Sequence, residues 1–386
     1  MIARPRAAIR RVTDDDARTC PGRGGSIFVR VLWFAPWFRS LAHIYGRGLT
    51  SNGHEVLIVT STKHPEPAPS LVTELMCPAR FYDPYWIRSA WDAERAYRKF
   101  RPDVVMADQS TDPMFVALAQ RMHPQMLIVH DARPHDHTHQ LGGWRKTVKA
   151  VGNRQRHHIL TFSRHVAKDV AASEWKPPSA QIHQVSLVSD FRDEDVPEFR
   201  EAAERRDFVF MGRMAPYRNL DHVLLAWAQH VRGPHYRGDR LIIWGRKELT
   251  PVKYAEDCRI TDESVERRSE IYRYSDISQG RFSGFKGSFC VYLEASQSGV
   301  QLVSAQLGIA PIVSNVGGLP EYQAPTLPVL DPTDVKGLVD VLDRMANPEH
   351  AAERGRVAQE FYLANHSERV AAQQLSDLLE KSIASR

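Results

Sequence analysis

The chain has 386 residues, 42% of them hydrophobic and 25% charged, and carries a net charge of +5. These values predict a soluble globular protein of two domains, each of roughly 150 to 200 residues. No apolar run of about 18 residues occurs, so no membrane-spanning helix is expected; four scattered cysteines (Cys20, Cys77, Cys258, Cys290) in no C-x-x-C pairing fit a reduced, cytoplasmic setting better than a disulfide framework or a zinc site.

Seven Arg against three Asp in the first 30 residues leave the rest of the chain nearly neutral. Residues 1–28, "MIARPRAAIRRVTDDDARTCPGRGGSIF", lack the apolar stretch of a secretory signal. They read as a disordered or basic N-terminal tail, or a mis-assigned start, and a basic arm touching anionic lipid is the further reading. From Val29 the chain alternates. "VRVLWFA" is a strand, Leu41 to Ser51 a helix, "GHEVLIVTS" and "DVVMAD" strands, "FVALAQRM" a helix, and "QMLIVHD" and "HILTFS" strands. Such alternation predicts a doubly wound parallel sheet, here over residues 29–188. The charge-dense stretch 189–207 reads as a linker. A second alternation follows over 208–365, with strands at 208–211, 241–244, 288–293 and 310–314, and residues 366–386 read as a helix returning to the first domain. The fold class expected is therefore α/β, with two Rossmann-like doubly wound domains facing a central cleft.

The stretch "FVFMGRMAPYRNLDHVLLAW" (208–227) runs a buried-looking strand through Gly212, Arg213 and Arg218 into a helix on which Leu220, Val223, Leu224 and Trp227 recur at helical spacing. A strand-to-helix connection in an α/β sheet lies at the carboxyl edge of the strands, where amide-rich helix N-termini receive anions. Two arginines there point to an anionic guest. In "VSNVGGLPEY" (313–322), Gly317 and Gly318 allow backbone amides to come close to a ligand, although a Gly-Gly turn is more often simply a turn.

Taken together, "GRMAPYRN" between strand and helix, "LIIWGR" and "SGVQLVSAQLGIAPIVSNVGGLPE" resemble the nucleotide-binding domain of GT-B glycosyltransferases of the retaining family 4 type. "HEVLIVTS", "DVVMAD", "VHD" and "TFSRHVAKDV" look like that family's acceptor-domain segments, and the resemblance spans roughly residues 29 to 370. It implies transfer of a sugar from a nucleotide-sugar donor, held by the second domain, to a glycan or lipid-linked acceptor on the first, with retention of configuration. The nucleotide-sugar is a substrate and no cofactor is implied. By the family pattern Arg213 and Arg218 hold the donor diphosphate with Gly317 and Gly318, and Gly212, Gly299, Gln297, Ser304 and Glu321 fall on donor-binding positions. His130 matches the cleft histidine that contacts the donor sugar; Ser163 matches a position at a helix entrance, where it also fits as an N-cap.

Two departures stand out. The family's two glutamates, seven residues apart, are not in place: anchored on Gly299, the first falls near Ser296 or Gln297, with Glu294 the nearest carboxylate, and the second on Ser304 or Val303. The glycine-rich loop after the first strand is replaced by "APWFRSLAHI". His130 and Glu294 are therefore the catalytic candidates. These departures leave open a non-catalytic nucleotide-sugar or glycan-binding relative, with a GT-B sugar epimerase or phosphorylase as the rival enzymes.

His130, His135, His137 and His139 invite a metal reading, but no Asp-x-Asp motif stands beside the donor strands and metal-independent transfer is expected. The segment 83–103 mixes Trp86, Trp91, Tyr97 and Phe100 with five basic residues, so it either lies on an anionic membrane or packs its aromatics on the sheet. Nucleic acid is not expected, because the folded part has almost no net charge.

Overall fold

The computed structural model describes residues 27–62, 70–78, 85–132, 143–153, 157–245, 264–270 and 273–384. In chain order the first domain comprises β1 (Arg30–Ala35), α1 (Arg39–Ser51), β2 (Glu55–Ser61), β3 (Thr73–Cys77), α2 (Trp86–Phe100), β4 (Val104–Asp108), α3 (Pro113–Arg121), β5 (Met126–Val129), α4 (Gly143–Asn153), β6 (His158–Thr161), α5 (Arg164–Ala171) and β7 (Gln181–Gln184). The second comprises β8 (Phe208–Met211), α6 (Leu220–Arg232), β9 (Leu241–Trp244), β10 (Val265–Arg268), α7 (Tyr274–Ser278), β11 (Gly287–Cys290), α8 (Gly299–Gln306), β12 (Ala310–Ser314), β13 (Val329–Leu330), α9 (Val335–Met345), α10 (Pro348–Asn365) and α11 (Glu368–Ala384).

Both sheets are parallel throughout, a seven-stranded one in the order β3-β2-β1-β4-β5-β6-β7 and a six-stranded one in the order β10-β9-β8-β11-β12-β13. Strand order reverses beside β1 and beside β8, which places a ligand crevice at the carboxyl ends of these two strands. The central strands read as unbroken apolar runs because helices cover both faces. In β1, Val31, Trp33 and Ala35 pack with α1 and α11. Leu32 and Phe34 face the opposite layer, made by α2 and α3.

Four strands escaped the sequence reading: β3, β7, β10 and β13. Each lies at a sheet edge. Apart from Cys77, none of their residues is fully buried, so no apolar run announces them. Residues 189–207 are tied down rather than free. Phe191 enters the core of the second domain, and the Asp193 carboxylate accepts from Gln306 Nε2 and Tyr362 Oη. The last helix, α11, lies on α1, where Gly48 meets Ala372 and Arg47 pairs with Glu368 at 2.6 Å.

Candidate active site

The first-domain wall of the cleft is built at the carboxyl ends of β1, β5 and β6. Leaving β1, the chain turns through Trp37 and Phe38, both exposed, into α1. Its first helical residue, Arg39, is buried and pairs with Glu74 on β3 at 2.6 Å. Burial pushes the Glu74 carboxyl up, but the His43 ring, Arg39 and Thr60 overcome this and hold it well below the usual carboxylate range. Glu74 is thus a fixed negative charge that clamps the turn presenting Phe38.

Phe38 stacks on the His130 ring with centroids 3.7 Å apart, and Phe162 flanks that ring at 5.0 Å. Behind it stands Asp108, the last residue of β4, with Oδ2 3.8 Å from His130 Nε2 and Oδ1 accepting from Trp33 Nε1 at 3.0 Å. Among the described residues, neither His130 Nε2 nor Asp108 Oδ2 has a hydrogen-bond partner. On its other side, His130 Nδ1 is 3.5 Å from Gln297 Nε2 of the second domain. A histidine with a carboxylate behind and a polar side chain ahead is oriented for contact with a polar ligand.

The second-domain wall begins at β8. Gly212 has φ 109°, and a Cβ on it would lie 2.3 Å from Arg218 Nη1. This glycine makes room for a guanidinium. Arg218 turns inward: 5% exposed, it donates to Met211 O at 2.6 Å, to Tyr292 Oη at 2.5 Å and to Arg213 O at 3.4 Å. Arg213 is exposed and bonds to Tyr217 Oη at 3.4 Å. The two arginines expected to act as a matched pair are therefore placed differently, one facing solvent and one supporting the turn. Leu293 N donates to Tyr217 O at 2.7 Å, which brings the turn bearing exposed Glu294 against the turn bearing Arg213.

Ser298 caps α8 by accepting from Gln301 N at 3.3 Å, and Gly299 opens that helix. The glycine pair approaches protein backbone: a Cβ on Gly317 would lie 1.6 Å from Ala295 O, and one on Gly318 2.2 Å from Ser296 O. The close contact that these glycines permit is to the turn preceding α8, where a ligand contact was expected. Two further expectations meet a different geometry. Ser304 is fully buried on α8 and donates back to Val300 O at 2.8 Å, so it does not face the cleft. Glu321 accepts from Arg164 N at 2.7 Å and His165 N at 2.8 Å, capping α5 of the opposite domain, because unpaired amides and the helix dipole attract a carboxylate there. Ser163 caps the same helix from within, accepting from Val166 N, and also donates to Ser296 O across the cleft at 3.4 Å.

His130, Gln297, Ser163, Ser296, Gly318 and Glu321 thus meet at the domain junction, and Arg213 and Glu294 gather on the second-domain side. Sequence reading missed Asp108, Phe38 and Tyr292. An acid closing an apolar strand is the signal that points to Asp108; the two aromatics replacing the absent glycine-rich loop point to Phe38. Among the described residues, no group of three or more His, Cys, Asp or Glu is placed to hold a metal ion. His135, His137 and His139 lie outside the described residues.

Residues 41–188 match the family described as "Glycosyl transferase 4-like domain". No curated protein matches. Among solved structures, the chain is similar to sucrose-phosphate synthase from Thermosynechococcus elongatus, with a TM-score of 0.68 and 13% identity over 93% of this chain and 100% of that one. A glycosyltransferase from Rickettsia africae gives 0.64 and 12% over 93% and 99%. Anabaena HepE in complex with UDP gives 0.61 and 11% over 91% and 100%. The chain thus has the GT-B fold of glycosyltransferases, and within it residues 41–188 match the glycosyl transferase 4-like domain.

Proposed function

We propose that the protein moves a sugar from a nucleoside-diphosphate-sugar to an acceptor hydroxyl, with retention of configuration and without a metal, in the cytoplasm. The observation that carries this reading is the meeting of His130 and Gln297 from opposite domains beside the crevice that both sheets open. As the bond to the leaving diphosphate breaks, negative charge grows on a phosphate oxygen and the glycosidic carbon becomes cation-like. Exposed Arg213, at the turn after β8, supplies a cation for that charge, and a group aimed where charge develops stabilises the transition state above the ground state. His130 contacts the donor sugar, and Glu294, exposed beside the Arg213 turn, offers a carboxylate to it. The leaving phosphate takes the acceptor proton, so no protein nucleophile is required.

The test is calorimetry with uridine diphosphate, chosen because a similar protein was crystallised with UDP, followed by assay of nucleoside diphosphate release from a panel of nucleotide-sugars with glycan and lipid-linked acceptors. Binding plus acceptor-dependent release, with the anomeric configuration retained by NMR and no loss in chelator, is expected. A protein that binds no nucleoside diphosphate overturns the reading. The burial of Ser304 and the engagement of Glu321 favour a second reading, a nucleotide-sugar binder without turnover; tight binding with no release in the presence of a verified acceptor would select it.

A further inference from the structure

Besides Trp37 and Phe38 at the cleft turn and Met76 on β3, the first domain exposes large apolar side chains on α2 and α4. Trp91 on α2 is 74% exposed and Trp144 on α4 57%, with Tyr85 and Ile87 also exposed at the start of α2. The layer is continuous through α3: Arg121 Nε donates to Glu94 on α2 at 3.0 Å, and Gln120 Nε2 donates to Val151 O on α4 at 2.6 Å. Helices that connect parallel strands run back against them, so the first turns of α2 and α4 lie at the carboxyl edge of the sheet. Trp144 stands in the first turn of α4 and Trp91 in the second turn of α2. They share that edge with His130 and Phe38.

Charge follows the same layer. Arg88, Arg95, Arg98, Lys99 and Arg101 belong to α2 and its end, and Arg145, Lys146 and Lys149 to α4, against only Asp92 and Glu94. This is a surplus of six positive charges in a chain whose total is +5, so the remainder is slightly negative. Glu94 is already committed to Arg98 and Arg121.

We infer that α2 and α4 form one docking surface for an anionic lipid bilayer, set so that the cleft edge of the first domain faces the lipid. Tryptophan settles at the headgroup level, and arginine and lysine flanking it meet lipid phosphates. Ile87 favours lipid over nucleic acid, since it gains from hydrocarbon burial and has no ring on which a base stacks. A second copy would bring the same positive surplus against itself. Joined to the proposed sugar transfer, on which this clause alone rests, the orientation selects a lipid-linked acceptor delivered to Phe38 and His130 from the membrane side.

The experiment is co-sedimentation of the full chain with vesicles of phosphatidylcholine, alone or mixed in equal parts with phosphatidylglycerol. Binding to the anionic vesicles alone, weakened by salt because surface charges are screened over about 10 Å at 0.1 M, is expected. Two separate variants, Trp91→Ser with Trp144→Ser and Arg88→Glu with Arg145→Glu, should each reduce partitioning at least tenfold. Both should keep the wild-type melting temperature and affinity for uridine diphosphate. Vesicle binding that ignores lipid charge, or that survives in both variants, overturns the surface; so does a wild-type dimer that the tryptophan variant dissociates, or binding to single-stranded nucleic acid in place of vesicles. Failure of vesicle binding with uridine diphosphate binding intact leaves the transfer reading standing, and the reverse result leaves the surface standing.

Discussion

The Arg218 guanidinium lies 2.5 Å from the Tyr292 hydroxyl, and this contact joins the two turns that build the second-domain wall. Tyr292 Oη is in turn 3.2 Å from Ser298 Oγ, the cap of α8. Burial raises the Tyr292 phenol well above its ordinary range despite the nearby Arg218, so it remains a neutral hydroxyl able to serve both neighbours. Arg218 thus acts on the helix entrance through Tyr292, while Arg213 faces the solvent.

The two arginines should therefore separate in mutagenesis. Arg218→Ala removes charged donors from Met211 O and Tyr292 Oη, each such bond contributing roughly 1.5 to 3 kcal/mol, and should destabilise the protein by about 3 kcal/mol in urea unfolding. Arg213→Ala should leave stability within about 0.5 kcal/mol and weaken uridine diphosphate binding by about ten- to a hundredfold in calorimetry. Equal behaviour of the two variants in both measurements would refute this division of labour.

Ser304 and Glu294 should separate as well. Because the Ser304 hydroxyl is enclosed within α8, Ser304→Ala should not alter discrimination between ribo- and deoxyribonucleotide donors. Glu294, exposed beside the Arg213 turn, should matter through its charge, since a hydrogen bond to a carboxylate is about twice as strong as a neutral one. Glu294→Gln should lower kcat by about tenfold, equivalent to about 1.4 kcal/mol, in a donor-turnover assay. An unchanged kcat would remove Glu294 from the catalytic group.

Stability should depend on pH through His366. Its ring is buried between α10 and α11 with Tyr322 and Tyr362 nearby, and burial pushes it down to about 4. The unfolded chain takes up this proton near pH 6.5, before the folded one does, so the contribution is fully present above about pH 6.5 and is lost as pH falls towards 4. The loss amounts to about 3 kcal/mol. Urea titrations across this window should show stability falling in the wild type, and His366→Gln should flatten much of the fall. Burial lowers His54 and His183 in the same direction, so a residual slope is expected in the variant.

Much of this arrangement was legible before any coordinates. The alternation of β1, α1 and β2, and the run from β8 through Gly212 into α6, expose their periods because helices bury both faces of the central strands. Edge strands such as "QIHQ" (181–184) have no such period, since their side chains are at most partly covered. The presence of two arginines after β8 was readable, but their different roles were not. A sequence shows that Arg218 lies five positions after Arg213; it does not show that Gly212 leaves a space which a guanidinium fills.

Local pattern alone determined that this chain forms two parallel-sheet domains and that a turn with two arginines follows β8, because strand propensity, helical spacing and glycine conformation act over a few neighbouring residues. Contacts between residues far apart in the chain were decided only by tertiary structure. Glu321 caps a helix 157 positions away, His130 meets Gln297 across 167 positions, and Ser304 turns inward although its place in the motif faces a ligand in the resemblance. The first two depend on which polar groups meet across the domain junction, while Ser304, bonded within its own helix, is turned inward by how that helix packs. Which groups meet is set by hydrogen-bond satisfaction in three dimensions, and spacing along the chain does not encode it.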